Sequence, residues 1–185
     1  MSVDNQFEVL STISQSLQKE YESNDQVRWK DSPFGWLKTR PSRQVGAIAE
    51  RLLAEWLESS CGLSVSRSPD SEADRIVNGK RIEIKCSTLW KSGGYKFQQL
   101  RDQNYDYAIC LGISPHSVHC WILPKTLIME RWKAGDGIRS QHGGRKGADT
   151  AWLNVKPHDP YPWLEPFGGE LSDAKRVIGK HLSDH

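Results

Sequence analysis

Glu83 and Lys85 stand two apart in the run Arg81-Ile82-Glu83-Ile84-Lys85-Cys86-Ser87. In an extended strand such residues share a face, about 6.5–7 Å apart at Cα, so an acid and an amine can converge on one point above a sheet. Ile82, Ile84 and Cys86 point the other way, the pattern of a strand with one apolar side. Asp74 precedes them across Asn78-Gly79, a strong signal for a two-residue hairpin turn. Pairing across that turn sets Val77 beside Lys80, and therefore Asp74 beside Glu83. Two carboxylates facing each other repel. A divalent cation held by oxygens would neutralise them, and Mg²⁺ typically takes one or two carboxylates with water and phosphate oxygens. Lys85 could then hold or deprotonate an attacking water, or stabilise charge growing on phosphorus oxygens. Two acids, a metal and a lysine on adjacent strands suit metal-assisted phosphodiester hydrolysis.

Other elements must position these residues. Apolar residues at Val3, Phe7, Leu10, Ile13, Leu17 and Tyr21 step by three or four and predict a one-faced helix over 3–21 that needs a partner surface. The segment from Asp25 to Arg43 has no period. It mixes Trp29, Phe34 and Trp36 with Arg28, Lys30, Lys38, Arg40 and Arg43, and reads as an ordered loop that either seals the core or meets nucleic acid. A second helix is expected from Ser42, its N-cap, to Cys61-Gly62, where the glycine ends it. Strands are expected at Leu63–Arg67, Asp74–Val77 and Lys80–Cys86, and a short helix at Lys96–Arg101. The runs from Tyr107 and Val118 have little alternation and read as strands buried on both faces. A helix beginning at Pro124 follows, then a Gly-rich basic loop, and a last helix at Leu171–Leu182. Mixed short strands wrapped by helices make an α/β or α+β fold, one domain over 1–185 with a central mixed sheet flanked by helices.

The pattern Asp74…Glu83-Ile84-Lys85 resembles the PD-(D/E)XK nuclease superfamily, which includes many restriction endonucleases. Its core order of helix, three strands, helix and strand is similar to the order expected over about 42–123, leaving 3–21 and 124–185 as extensions. The resemblance implies a Mg²⁺-dependent endonuclease acting on duplex DNA, with Mn²⁺ a substitute. It implies Asp74, Glu83 and Ile84 as the metal-ligand set and Lys85 as the residue that activates or orients the water. The family's first helix often contributes a glutamate, and Glu50 in "GAIAERLL" matches it. Gln98 or Gln99, after the lysine, would touch the site or the phosphate backbone. The literal Pro-Asp dipeptide is Pro69-Asp70, but Asp70 lies in a Ser-rich turn where Asp is ordinary, whereas Asp74 begins an apolar strand.

Arg139, Arg145 and Lys146 in the Gly-rich loop are candidates to track phosphates, because Gly lets main-chain N–H groups approach closely. His142 lies in the same loop, and His119, in an apolar strand, reads as a satisfied core residue. The net charge of the 185 residues is only +2, so DNA binding must come from local patches. No run approaches the ~20 apolar residues of a membrane span. Four Cys without metal spacing suit a reduced, cytoplasmic protein. A domain of this size cuts both strands most simply as a symmetric homodimer, with the helix at 3–21 as the joining surface. A repair or junction-resolving nuclease would share every site residue. A non-catalytic nucleic-acid-binding protein would gain nothing from acids facing phosphate.

Overall fold

The structure is a computed structural model describing residues 5–21, 24–141, 143 and 149–183. The Asn78-Gly79 turn has φ of 43° and 76° at its two residues, the left-handed pair that matches the twist of a tight hairpin. It joins β2 (Arg75–Val77) to β3 (Lys80–Thr88), with Val77 opposite Lys80 and Arg75 opposite Ile82. That is the register the sequence implies. β1 (Val65–Arg67) flanks β2 on the outside, and β3 runs parallel to β5 (Tyr107–Ile113). β6 (Val118–Pro124) pairs antiparallel with β5, and β9 (Gly168–Glu170) closes the far edge. The central sheet is thus six-stranded and mixed, in the order β1-β2-β3-β5-β6-β9. β5 is buried from Ala108 to Ile113 and β6 from His119 to Leu123, as expected for strands covered on both faces.

One cover is helical. α3 (Ser42–Cys61) buries Ala49, Leu53 and Leu57 and packs on β3, and α5 (Leu171–Leu182) buries Ala174, Val177 and Ile178 against β6. Pro41, not Ser42, caps α3, and Gly62 ends it in the left-handed conformation. The other cover is a second sheet, which sequence reading does not anticipate. β4 (Tyr95–Leu100) replaces the helix expected at Lys96–Arg101 and so departs from the nuclease-like order of elements. Tyr95 and Phe97 alternate with Lys96 and Gln98, and their rings meet Trp121 edge-on at centroid distances of 6.2 and 6.1 Å. A register shift between Phe97 and Leu100 then breaks the alternation, which is why the run does not announce itself as a strand.

β4 pairs with β8 (Ala151–Val155), which pairs with β7 (Ile138–Ser140). β7 lies inside the segment expected to be a flexible loop, with Ile138 fully buried. The chain beyond 124 therefore completes both sheets. The aperiodic segment before α3 is also more regular than expected, holding α2 (Asn24–Trp29) and a 3-10 helix at Gly35–Thr39. Trp29 and Leu37 seal the core there. α4 (Lys125–Ala134) follows β6 directly, behind Pro124. α1 (Asn5–Tyr21) leaves Phe7, Leu10, Ile13 and Leu17 exposed, as a one-faced helix without a cover does. Val3, expected on that stripe, lies outside the described residues. The four thiols are free, with Cys110 and Cys120 buried.

The two sheets are latched by a buried polar chain. The Tyr95 hydroxyl is 2.6 Å from Ser114 Oγ and 2.8 Å from His119 Nδ1, and His119 Nε2 is 3.3 Å from Glu170 Oε1. His119 is thus a satisfied core residue, as expected. Burial holds it below its ordinary pKa of 6.5, with Glu170 opposing. Below that value the unfolded chain binds a proton that the fold resists, so this contribution is present above about pH 6.5 and is lost as pH falls. Melting temperature should therefore decline between pH 7.5 and 5.5, and less steeply in His119→Gln. Parallel profiles for the two proteins would disprove the assignment.

Candidate active site

β2 starts one residue late for the acid that matters. The Asp74 N–H donates to Ile82 O at 2.9 Å, but the next rung is made by a side chain, because Ile84 N–H donates to Asp74 Oδ2 at 2.7 Å. The carboxylate takes the place of a strand carbonyl, and β2 pairs no further with β3. Among the described residues, β3 from Ile84 onward is paired with a strand on its β5 side alone. Within a strand the N–H and C=O of one residue point to the same side. The Ile84 carbonyl is therefore directed at the open edge beside Asp74.

Three elements bring side chains to this edge. Lys85 is opposite Cys110 in the parallel register, on the face of β5 where Gly112 meets Tyr95, so Glu83 and Lys85 project on the side of the second sheet. Glu83 is 6 % exposed, and its Oε1 lies 2.5 Å from Lys85 Nζ. Burial raises the Glu83 pKa and Asp74 adds to the rise, while Lys85 pulls it down. Glu50 arrives from α3, with Oε2 3.3 Å from Arg75 Nη1, and the same guanidinium nitrogen donates to the Asp74 carbonyl at 2.8 Å. Burial, then the Asp74 charge, raises the Glu50 pKa. One arginine thus ties the helix carboxylate to the strand edge. Tyr105, between β4 and β5, is buried with its hydroxyl unpartnered among the described residues, and after burial the Glu83 charge raises its pKa further.

A cleft of about 1130 Å³ opens over the edge. Glu50, Asp74, Ile84 and Lys85 border it, and Glu83 lies behind Lys85 and does not. Its rim is basic, with Lys38, Arg40 and Arg43 from the segment before α3, Lys91 from the β3–β4 turn and Lys96 from β4. The first three come from the mixed aromatic-basic stretch; the last two are not singled out by sequence reading, although an exposed Trp90 beside Lys91 marks that turn. Gln98 and Gln99 border the cleft from strand β4 rather than from a helix. Arg139 is exposed on β7 and does not border the cleft, and His142, Arg145 and Lys146 lie outside the described residues. Asp70 is held in its turn by Arg81 Nη2 at 2.5 Å and by the Glu72 N–H at 2.9 Å, and the Arg81 hydrogen bond lowers its pKa. It does not border the cleft.

Among the described residues no three His, Cys, Asp or Glu side chains form a metal-binding group by themselves. The oxygens that could hold a cation here are those of Asp74, Glu83 and the Ile84 carbonyl. One carboxylate oxygen of Asp74 is free of the Ile84 bond, and Glu83 is held by the movable ammonium of Lys85. Mg²⁺, which keeps several waters and uses one or two carboxylates, fits this set better than a cation needing an all-protein cage.

Asp74 carries two separable duties. Asp74→Asn retains an oxygen to accept the Ile84 N–H, so metal-free urea melts should lie within about 0.5 kcal/mol of the unsubstituted protein. Asp74→Ala leaves that N–H without its partner and should lose about 1–3 kcal/mol. Equal stabilities for the two variants would mean that the side chain does not organise the edge.

No protein-family model matches the chain, and no curated protein is similar to it. Among solved structures the chain is similar to a bacterial homing endonuclease, I-Ssp6803I, at 15 % identity, with 78 % of this chain and 96 % of that chain covered and a TM-score of 0.44.

Proposed function

We propose that the protein is a Mg²⁺-dependent endonuclease of restriction type that hydrolyses phosphodiester bonds in duplex DNA. The observation that carries this reading is the convergence of Glu50, Asp74 and Lys85 on the wall of a cleft whose rim also carries Lys38, Arg40, Arg43, Lys91 and Lys96. Acids at the floor of a basic cleft weaken binding to a polyanion, so a binding surface alone has no use for them. Cations on the rim do the opposite. Lys38, Arg40, Arg43 and Lys91 would hold the backbone, while Lys85 reaches the same space to neutralise a phosphoryl oxygen or hold a water for attack. Asp74, Glu83 and the Ile84 carbonyl would hold the cation, with Glu50 joining through water. Bound there, Mg²⁺ or Mn²⁺ would supply Lewis-acid stabilisation and a more acidic water.

Plasmid DNA tests the reading. Cleavage should require Mg²⁺ or Mn²⁺ and stop with EDTA, and Ca²⁺ should support binding without cutting. Asp74→Asn, which keeps the edge intact, should lower the rate at least about 100-fold, and Asp70→Asn should leave it unchanged. Undiminished cleavage in EDTA, or an active Asp74→Asn, would exclude the mechanism.

A homodimer is part of the same reading, because cutting both strands of a duplex calls for two copies of the site. The exposed stripe Phe7, Leu10, Ile13 and Leu17 on α1 is the surface proposed to join them. Light scattering should give twice the chain mass, and Leu10→Glu with Ile13→Glu should give a monomer that nicks plasmid rather than linearising it. An unsubstituted protein that linearises plasmid while monomeric at every concentration would remove the dimer from the scheme.

A further inference from the structure

The second sheet has one face in the core and one face open. Tyr95, Phe97, Leu153, Val155 and Ile138 are buried against the central sheet. Alternation puts Lys96 and Gln98 of β4, Asn154 of β8 and Arg139 of β7 on the other side. The pairings agree: Lys96 is opposite Asn154, and Arg139 is opposite Trp152. Lys96 Nζ lies 3.2 Å over the Trp152 ring, so a cation–aromatic stack sits in the middle of this face.

Gln99 would point into the core if β4 continued to alternate. Instead its φ is 59°, a left-handed conformation rare outside glycine, at the place where the register with β8 shifts. The bulge turns a second amide out beside Gln98 and returns Leu100 to the core, where it is fully buried. Gln98 and Gln99 both border the catalytic cleft. Asn154 borders a second cavity of about 420 Å³, which shares Trp90, Ser92 and Lys96 with that cleft. The open face is therefore continuous with the site. Among the described residues no side-chain hydrogen bond or ion pair engages Gln98, Gln99, Asn154 or Arg139.

Neutral amides are poor partners for phosphate compared with lysine and arginine, and they carry both a donor and an acceptor. That pairing suits a base edge: Gln and Asn bind adenine through its N6 and N7, and Arg binds guanine through O6 and N7. Two neighbouring strands about 4.8 Å apart make a ribbon that the major groove, roughly 12 Å wide, admits, so β4 and β8 would enter it with β7 at its wall. We propose that this face, through Gln98, Gln99, Asn154 and Arg139, reads base edges in the major groove of duplex DNA whose backbone occupies the adjoining cleft. The proposal rests on the nuclease reading for the placement of the DNA and adds sequence selectivity to it. Cations of the cleft set affinity; amides of the sheet set sequence.

A duplex library with a randomised window separates the two claims. It is selected for binding to the full chain in Ca²⁺ by gel shift and, in parallel, cleaved in Mg²⁺, and the recovered sequences are read. The protein should enrich fixed bases at several adjacent positions. Gln98→Ala and Asn154→Ala should each relax the preference at one or two of these positions by about tenfold, without changing the salt slope of binding. Arg139→Lys keeps the charge but loses the two-pronged contact, and should relax a guanine position in the same way. Cleavage without base preference, or preferences unchanged in all three variants, would overturn the proposal and leave the nuclease reading standing. Base-selective binding without cleavage would overturn the nuclease reading alone. Failure to bind any duplex would overturn both.

Discussion

The hydrogen bond from Ile84 N–H to the Asp74 carboxylate decides where the hairpin ends and where the site begins. A main-chain carbonyl in that position would have extended the ladder and buried the edge of β3 under another strand. A side-chain carboxylate satisfies the same N–H from one oxygen and keeps the other available. It also halts pairing, so the Ile84 carbonyl is left facing space instead of a neighbouring strand. The edge of a sheet is normally a liability because its polar groups invite another strand. Here a cleft with a basic rim opens over it, and the same unpaired groups face that space.

The electrostatics follow from this placement. Asp74 stands just before β2, beside the strand that carries Glu83, and burial already disfavours the Glu83 charge. Lys85, two residues along the same strand, is the counter-ion that pulls the raised Glu83 pKa back down. Glu50 has the same difficulty in milder form, and Arg75 answers it. Each of these two acids is thus held by one cation from a strand, Glu83 by Lys85 and Glu50 by Arg75. Neither pair is closed off: the Lys85 ammonium borders the cleft, and so does the Glu50 carboxylate. Removing either cation would leave a charge in low dielectric and cost more than a surface ion pair is worth.

Much of this was legible in the sequence because it is governed by local rules. The Asn-Gly turn fixes a register, the register fixes which residues face each other, and a period of two fixes which side they take. The hairpin, the neighbourhood of Asp74, Glu83 and Lys85, and the helix carrying Glu50 all follow from those rules. The second sheet does not, because each of its strands lacks one cue. β4 loses its alternation at the Gln99 bulge. β7 is three residues inside a glycine-rich run, with Ile138 as its one core contact. β9, the edge strand of the central sheet, is hidden in a similar way, since it includes two glycines, and one of them is needed because a Cβ at Gly168 would lie 2.1 Å from the Cys120 carbonyl oxygen. Strands this short are stabilised by what they pack against, a property of the fold and not of the segment.

That second sheet also fixes the distance between the Gln98–Gln99 face and Lys85. Its inner face locks onto the central sheet where Tyr95 lies over Gly112, a contact so close that a Cβ there would fall 2.5 Å from the ring. The glycine is in strand β5, and β5 pairs directly with the strand that carries Glu83 and Lys85. A shift of β4 would therefore have to pass through the Tyr95–Gly112 contact and the Tyr95–His119 hydrogen bond before reaching the open face. Close-packed interiors resist such shifts. Whatever Gln98 and Gln99 touch is held in register with whatever Lys85 touches, because both are set by the packing of one tyrosine on one glycine. A loop could carry the same amides, but it could not hold them at a fixed distance from Lys85.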